Sequence, residues 1–147
     1  MAKKSLNQIQ IGNIYNSEEY FDLAPDGTSG VNRYFFTGDN LSVAVHMLPP
    51  KLPTMPEHAH PHEQCLLVPQ GDGKALINGV EYDTEPGFFA LFPPEVPHGY
   101  DTSEASYTCW NLDVFVPERL EYEKEAFLRL LAQGKDTMNT MITKDTE

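Results

Sequence analysis

The stretch His58-Ala59-His60-Pro61-His62-Glu63-Gln64 holds three of the five histidines in this chain of 147 residues. On a strand, alternate side chains share a face, so His58, His60 and Gln64 can converge on one point. His98 follows in the segment Pro93-Pro94-Glu95-Val96-Pro97-His98, and a second strand could bring it to the same point. Imidazoles with one oxygen donor suit one divalent transition metal ion, such as Zn, Ni, Fe or Mn. The sequence therefore predicts a metal site.

The oxygen donor is predicted from the parity of the strand. Glu63 would point away from His58 and His60, whereas Gln64 shares their face, so we favour Gln64. His62 also shares that face, and we expect it beside the ligands or at the rim rather than on the metal. His46 lies in the apolar run Val43–Met47, and we expect a histidine of the core or sheet.

The charge of the chain limits the classes of partner that it can bind. Ten basic residues stand against 22 acidic ones, giving a formal net charge of −12. Nucleic acids need a basic surface, so we expect no nucleic-acid partner. A small anionic substrate would be attracted only by a metal or by a placed arginine, and Arg33 and Arg119 are the candidates.

Cysteine usage and hydropathy indicate a cytoplasmic protein. Cys65 and Cys109 have no framework spacing, so both are expected to be free thiols. The N-terminus leads into no apolar secretory segment, and no apolar run approaches the roughly 20 residues of a membrane span. We therefore expect no membrane partner.

Frequent turn residues divide the region 25–117 into short apolar segments, which predicts an all-β sandwich or barrel. Asn78-Gly79 is the clearest hairpin turn. Residues 118–133 lack proline, which predicts one C-terminal helix. Residues 135–147 are predicted to form a flexible tail. The first eight residues are predicted to form an outer strand that pairs with a partner subunit. The whole chain, 1–147, is predicted to be one domain. The predicted strands are 32–36, 41–48, 57–68, 73–77, 80–83, 88–92 and 107–116.

The histidine stretch followed by Gly71 resembles the first motif of the cupin superfamily, H-x-H-x(3)-E/Q-x(6)-G. The second motif, P-x-G-x(2)-H after a turn glycine, is similar to Pro86-Gly87 followed by Pro94 to His98. The resemblance implies a small antiparallel jelly-roll β-barrel over about 31–117 and a homodimer. It also implies one metal ion. The implied ligands are His58, His60, Gln64 and His98.

The last predicted strand offers a carboxylate to this site. One face is mainly apolar, so the face with Asn111 and Asp113 is free to line the barrel interior. The run Leu112-Asp113-Val114-Phe115-Val116-Pro117-Glu118-Arg119 resembles a segment of cupins related to the pectin-degradation protein KdgF. That group implies ring opening of 4,5-unsaturated uronates in pectin or alginate catabolism, a lyase or isomerase chemistry.

Roles follow for the residues near this strand. Asp113 would move a proton, Arg119 would hold the substrate carboxylate, and Phe115 would pack against the sugar. For Asp113 the alternative is a hydrogen-bonded strand-end carboxylate, and for Arg119 an ion pair with Glu123. Arg33 and Tyr100 are further candidates for substrate binding.

Because the sequence departs from the family pattern at several positions, more than one substrate class stays possible. Leu52 stands where the family has glycine, Phe88 where it has aspartate, and Pro69-Gln70 where it has Leu-Glu. The alternatives are an isomerase or cyclase of secondary metabolism, an iron-dependent dioxygenase, and a non-catalytic cupin that binds metal or sugar. The neutral amide of Gln64 favours binding an anionic substrate over stabilising a high oxidation state.

Overall fold

The structure, a computed structural model, describes residues 9–138. Its regular elements are nine strands, two 3₁₀ turns (Ser17–Glu19 and Leu120–Tyr122) and one α-helix, α1 (Lys124–Ala132). The strands are β1 (Phe21–Asp22), β2 (Asn32–Thr37), β3 (Ser42–Leu48), β4 (Glu63–Gln70), β5 (Lys74–Ile77), β6 (Val80–Asp83), β7 (Phe88–Phe92), β8 (His98–Asp101) and β9 (Cys109–Val116).

The strands form two antiparallel sheets. The larger sheet has the order β1-β2-β3-β9-β4-β7, and the smaller has the order β6-β5-β8. Their inner faces share a core in which Leu66 and Val68 of β4 pack with Ala75 of β5 and Phe92 of β7. The predicted all-β class and jelly-roll barrel are confirmed.

Tight backbone geometry fixes two of the connections. Asn78 and Gly79 have positive φ angles of 51° and 81°, as the type I′ turn between β5 and β6 requires. Gly71 has a φ of 132°, and a Cβ atom there would lie 2.7 Å from Cα of Cys109. Gly71 therefore allows the end of β4 to pass directly against β9, and no larger residue fits this position.

The histidine stretch departs from the predicted strand 57–68. The regular strand begins only at Glu63, because Pro56 and Pro61 interrupt the preceding segment and proline cannot donate to a ladder. His58 instead forms an isolated bridge to His98, with backbone hydrogen bonds of 2.8 and 2.9 Å. The first two histidines are thus held on an irregular segment beside β8, a strand that is absent from the predicted ranges although a second strand was expected to carry His98.

The C-terminal helix is shorter than the predicted range 118–133. Leu120–Tyr122 forms a 3₁₀ turn, and Glu123 is extended before α1 begins. The Glu123 carboxylate accepts hydrogen bonds from the amides of Glu125 and Ala126, so it caps the helix. Phe127 of α1 then packs with Phe115, Tyr122 and other core side chains against the larger sheet. No described helix is long and apolar enough to cross a membrane.

The predicted N-terminal strand and most of the predicted tail lie outside the described residues, which end at Met138.

An apolar patch lies on the outer face of the larger sheet. Leu67 of β4 pairs with Phe89 of β7, and Leu91 lies two positions further along β7 on the same face. These side chains are 38%, 68% and 64% exposed. Contiguous apolar groups at a sheet edge are typical of a contact surface. The patch is where we expect the predicted homodimer to form.

Replacing Phe89 with aspartate should dissociate that dimer, since a charge in the centre of an apolar interface loses its hydration. Light scattering after gel filtration measures the mass. Val80→Asp on β6 is the matched control, because Val80 is 50% exposed and belongs to the smaller sheet. A monomeric wild type, or dissociation by Val80→Asp alone, would contradict the assignment.

Candidate metal centre

Three histidines converge inside the barrel. His58, His60 and His98 each offer a ring nitrogen, and these nitrogens all lie within 4.8 Å of one another. His58 and His98 come together through the isolated bridge, and His60 follows two residues after His58. Nε2 of His60 lies 3.1 Å from Nε2 of His98. The three histidines form a group that could hold one metal ion.

His98 presents a lone pair to this common point. Nδ1 of His98 lies 2.8 Å from the carbonyl oxygen of Val96, so it donates there and leaves Nε2 unprotonated toward the cluster. Burial, together with neighbouring positive charges, lowers the pKa of His58 to about 3 and that of His60 to about 4. Burial also lowers the pKa of His98. All three rings are therefore neutral at pH 7, the state in which imidazole binds a metal.

Gln64 stands against the same cluster. Its side chain is 5% exposed, whereas Glu63 is exposed, as the parity argument predicted. Oε1 of Gln64 lies 2.8 Å from Nε2 of His60. The amide nitrogen Nε2 of Gln64 donates to Oδ1 of Asp113 at 2.8 Å. A carboxylate can only accept, so Asp113 turns the amide nitrogen toward itself and the amide oxygen toward the histidines. The cluster thus has the nitrogen and oxygen donors that suit a divalent transition ion.

A chain of hydrogen bonds continues behind Gln64. Nδ1 of His46 donates to Oδ2 of Asp113 at 3.0 Å, and Nε of Arg33 donates to Nε2 of His46 at 2.8 Å. Since Arg33 is a donor only, His46 must carry its proton on Nδ1. Burial and the Arg33 charge lower the pKa of His46, and burial lowers that of Arg33 to about 10, which leaves the guanidinium charged. Arg33 balances the charge of Asp113 through a neutral histidine.

The register of the strands produces this alignment. Arg33, His46 and Asn111 are direct neighbours across β2, β3 and β9, and all three face inward. Asp113 lies one inward position further along β9, beside Leu66, and Phe115 lies one further, beside Gln64. His46 was expected in the core or sheet, and its place between Arg33 and Asp113 was missed because only the cross-strand pairing reveals it.

A cavity of about 320 Å³ opens over the site. Its polar lining includes His58, His98, Gln64, Asp113 and Arg33. Its walls are largely apolar and include Leu48, Leu52, Met55, Leu66, Ile77 and Phe92. A pocket that joins apolar walls to a few convergent polar groups is typical of a small-molecule site.

The predicted substrate-binding residues Phe115 and Tyr100 also line this cavity. Phe115 is 2% exposed and packs edge-on against His60, with ring centroids 5.6 Å apart, so it supports the cluster. The Tyr100 hydroxyl lies 2.6 Å from the Thr84 hydroxyl, and burial raises the pKa of Tyr100. Its hydroxyl is therefore already occupied by another side chain.

His62 lies outside the three-histidine group. It is fully buried rather than at the rim, with its ring edge-on to His60 at 5.2 Å. Within the described part of the chain, neither of its ring nitrogens has a hydrogen-bond partner. The stretch bends after Pro61, so the shared parity with His58 and His60 does not carry His62 to the common point.

Arg119 does not lie where a carboxylate clamp is needed. It is fully buried, does not line the cavity, and its Nε donates to Oε2 of Glu121 at 3.1 Å. Its guanidinium stacks over the ring of Tyr122 at 4.0 Å. The expected ion pair with Glu123 is also wrong, because Glu123 instead caps α1. The guanidinium that lines the cavity is that of Arg33.

Replacing His98 with alanine should weaken zinc binding by more than about 100-fold, because even groups that only orient a ligand contribute 10- to 100-fold. Competition with a chromophoric chelator measures the affinity. His62→Asn is the matched control and should bind zinc like the wild type. Equal losses in both variants would contradict the three-histidine assignment.

Replacing Arg119 with methionine should lower the free energy of unfolding by about 3–5 kcal/mol, because the buried carboxylate of Glu121 would lose the guanidinium that donates to it at 3.1 Å. Urea unfolding measures the loss. Arg129→Met, on the exposed face of α1, should change it by less than about 0.5 kcal/mol. A stable Arg119→Met protein that no longer binds carboxylates would instead favour the original clamp.

Comparison with known proteins agrees with this arrangement. Residues 44–115 match the family model of the cupin domain, a range that runs from β3 through the histidine cluster to β9. No curated protein sequence matches the chain.

Solved structures share the fold at low sequence identity. KdgF from Halomonas sp. has a TM-score of 0.60 at 24% identity, over 71% of this chain and 91% of that one. An RmlC-like cupin from Shewanella frigidimarina NCIMB 400 has a TM-score of 0.60 at 23% identity, over 71% and 87%. The polyketide cyclase RemF from Streptomyces resistomycificus has a TM-score of 0.59 at 18% identity, over 73% and 80%. With its family-model match, its jelly-roll barrel and its inward-facing histidine cluster, the chain is a member of the cupin superfamily.

Proposed function

We propose that this cupin is a metal-dependent enzyme of the isomerase or lyase type, which moves a proton on a small carboxylated substrate that can form an enol. The observation that carries the proposal is the link between the histidine cluster and Asp113. One side chain, Gln64, contacts both His60 and Asp113 at 2.8 Å. A potential metal site and a potential proton acceptor thus face one cavity.

The histidines and Gln64 would hold the ion. When bound, a divalent cation supplies a Lewis acid that polarises a carboxylate or carbonyl oxygen of the substrate. Three imidazoles and an amide are neutral ligands, so they would leave the positive charge of the ion uncompensated. That charge would attract an anionic group that the acidic protein surface otherwise repels.

Asp113 would move the proton. Its carboxylate is 8% exposed and lines the cavity. It accepts one hydrogen bond at each oxygen, from Gln64 and from His46, and each oxygen keeps a second lone pair. The two donors fix the carboxylate in one orientation, so the remaining lone pairs are directed without further reorganisation. General acid–base catalysis needs such a positioned group.

His46 and Arg33 would act through Asp113. His46 holds the carboxylate with Nδ1–H, and Arg33 fixes the tautomer of His46. The Arg33 guanidinium is itself held between the rings of Tyr122 and Phe127, at 3.7 and 4.4 Å. We assign both residues positioning roles.

The substrate implied by the sequence resemblance is a cyclic 4,5-unsaturated uronate, and the similarity of fold to KdgF supports testing it first. In ring opening, a proton leaves the anomeric hydroxyl and the bond from C1 to the ring oxygen breaks. A carbonyl then forms at C5 as a proton is added at C4. One carboxylate that takes and returns a proton accounts for both transfers.

The test uses two enol-capable acids: 4,5-unsaturated galacturonate, followed by loss of its ultraviolet absorbance, and phenylpyruvate, followed by exchange of its C3 protons for deuterium. Zinc-loaded wild type should accelerate at least one reaction. Asp113→Asn should lower that rate by about 100-fold or more, because positioned acid–base groups contribute 10²- to 10⁴-fold. Full zinc occupancy in the variant shows that the loss is not loss of metal.

Asp83→Asn is the matched control, since Asp83 is an exposed carboxylate of β6 away from the cavity. Its rates should equal those of the wild type. Failure of zinc-loaded protein to accelerate either reaction would overturn the proposed chemistry and favour a non-catalytic binding protein.

A further inference from the structure

We propose that the substrate of this site has a largely apolar body and that Asn111 binds one distant polar group on it. This inference rests on the proposed function and names the substrate class within it. A polyhydroxylated sugar acid falls outside that class. The class is a small oxo acid with a mainly hydrocarbon framework and one further hydroxyl, keto or amide group.

The walls of the cavity supply the first argument. Many of the side chains that line the cavity are hydrocarbon or thioether, as in Leu48, Leu52, Met55 and Ile77. A sugar placed there would bury several hydroxyls among these groups. Each buried hydroxyl without a partner costs about 1–3 kcal/mol, whereas each buried apolar carbon is favourable. Leu52, at the position where the uronate enzymes resembled by the sequence have glycine, makes this wall more apolar.

The hydrogen bonds of the polar lining supply the second argument. The Tyr100 hydroxyl contacts Thr84, and the Thr102 hydroxyl donates to the carbonyl oxygen of Pro49 at 2.9 Å. Gln64, Asp113 and His46 hold one another. Most of the hydrogen-bond donors that a sugar would need among these side chains are therefore already engaged within the protein, although Asp113 keeps a lone pair on each oxygen.

Asn111 is the exception among these described lining residues. It is 4% exposed and lines the cavity, and its Oδ1 is buried with no hydrogen-bond partner among residues 9–138. Leaving a buried amide oxygen unpaired is costly, so a ligand with a polar group here would be favoured to draw the amide of Asn111 round to the cavity and complete its hydrogen bonds. Asn111 can accept through Oδ1 or donate through its amide nitrogen.

The position of Asn111 sets the distance between the two polar ends of the substrate. Asn111, Asp113 and Phe115 follow one another on the inner face of β9, and Gln64 lies beside Phe115. Asn111 lies one inward position, roughly 7 Å along the strand, from Asp113, whose carboxylate accepts a hydrogen bond from Gln64 at 2.8 Å. A substrate head at the histidines would thus have its body beside the apolar walls and its second polar group at Asn111.

The experiment compares three probes on zinc-loaded protein by isothermal titration calorimetry: phenylpyruvate, 4-hydroxyphenylpyruvate and 4,5-unsaturated galacturonate. The two aromatic oxo acids differ by one distal hydroxyl. Wild type should bind phenylpyruvate at least about tenfold more tightly than the uronate. It should bind 4-hydroxyphenylpyruvate more tightly still, by roughly threefold to tenfold, the range of one hydrogen bond.

Asn111→Leu keeps the size of the side chain and removes its polar atoms. In this variant the two aromatic oxo acids should bind with about equal affinity. The affinities for phenylpyruvate and for zinc should stay within about twofold of the wild-type values. Thr102→Val is the matched control, because it removes another lining hydroxyl that already has a partner in the protein, and it should keep the preference.

The outcomes separate this inference from the proposed function. Tighter binding of the uronate, with its Asp113-dependent ring opening, would overturn the apolar substrate class and leave the proposed reaction standing. A hydroxyl preference that survives Asn111→Leu would overturn the role of Asn111. Binding of the aromatic acids without proton exchange would support the substrate class and overturn the proposed chemistry.

Discussion

The side-chain amide of Gln64 is the interaction on which the rest of the site depends. Its nitrogen must face Asp113, because a carboxylate cannot donate a hydrogen bond, and its oxygen therefore faces His60. A glutamate here would place a second negative charge beside Asp113, and repulsion would disturb the orientation of both groups. Glutamine keeps the cluster neutral and fixes the direction of the one carboxylate that faces the cavity.

Much of the architecture could be predicted from local sequence signals. Alternating apolar residues and turn residues indicated most strands, and the Asn78-Gly79 turn has the predicted geometry. The prediction failed where Pro56 and Pro61 interrupt the histidine segment, so the residues before Glu63 are irregular although their spacing suits a strand. It also extended the C-terminal helix through Glu123, because helical periodicity does not show which residue caps the first turn.

Sequence analysis predicted only those residues of the candidate site that lie close together in the chain or match a motif. The three histidines of the cluster and the inward direction of Asp113 could be inferred in this way. The contacts of Arg33, His46 and Asn111 depend on the register of β2, β3 and β9, which residues distant in the chain determine. The two arginines show the same limit, since charge alone could not tell the one facing the cavity from the one sealed in the interior with Glu121.

The isolated bridge between His58 and His98 also joins two points that lie forty residues apart in the chain. Its two backbone hydrogen bonds are a weak closure for a loop that contains β4 to β7. An ion shared by these histidines would act as a cross-link across that loop, and it would bind the folded chain far better than the unfolded one. The folding stability of the barrel would then depend on the concentration of free metal, which would couple the lifetime of the protein to the metal supply around it.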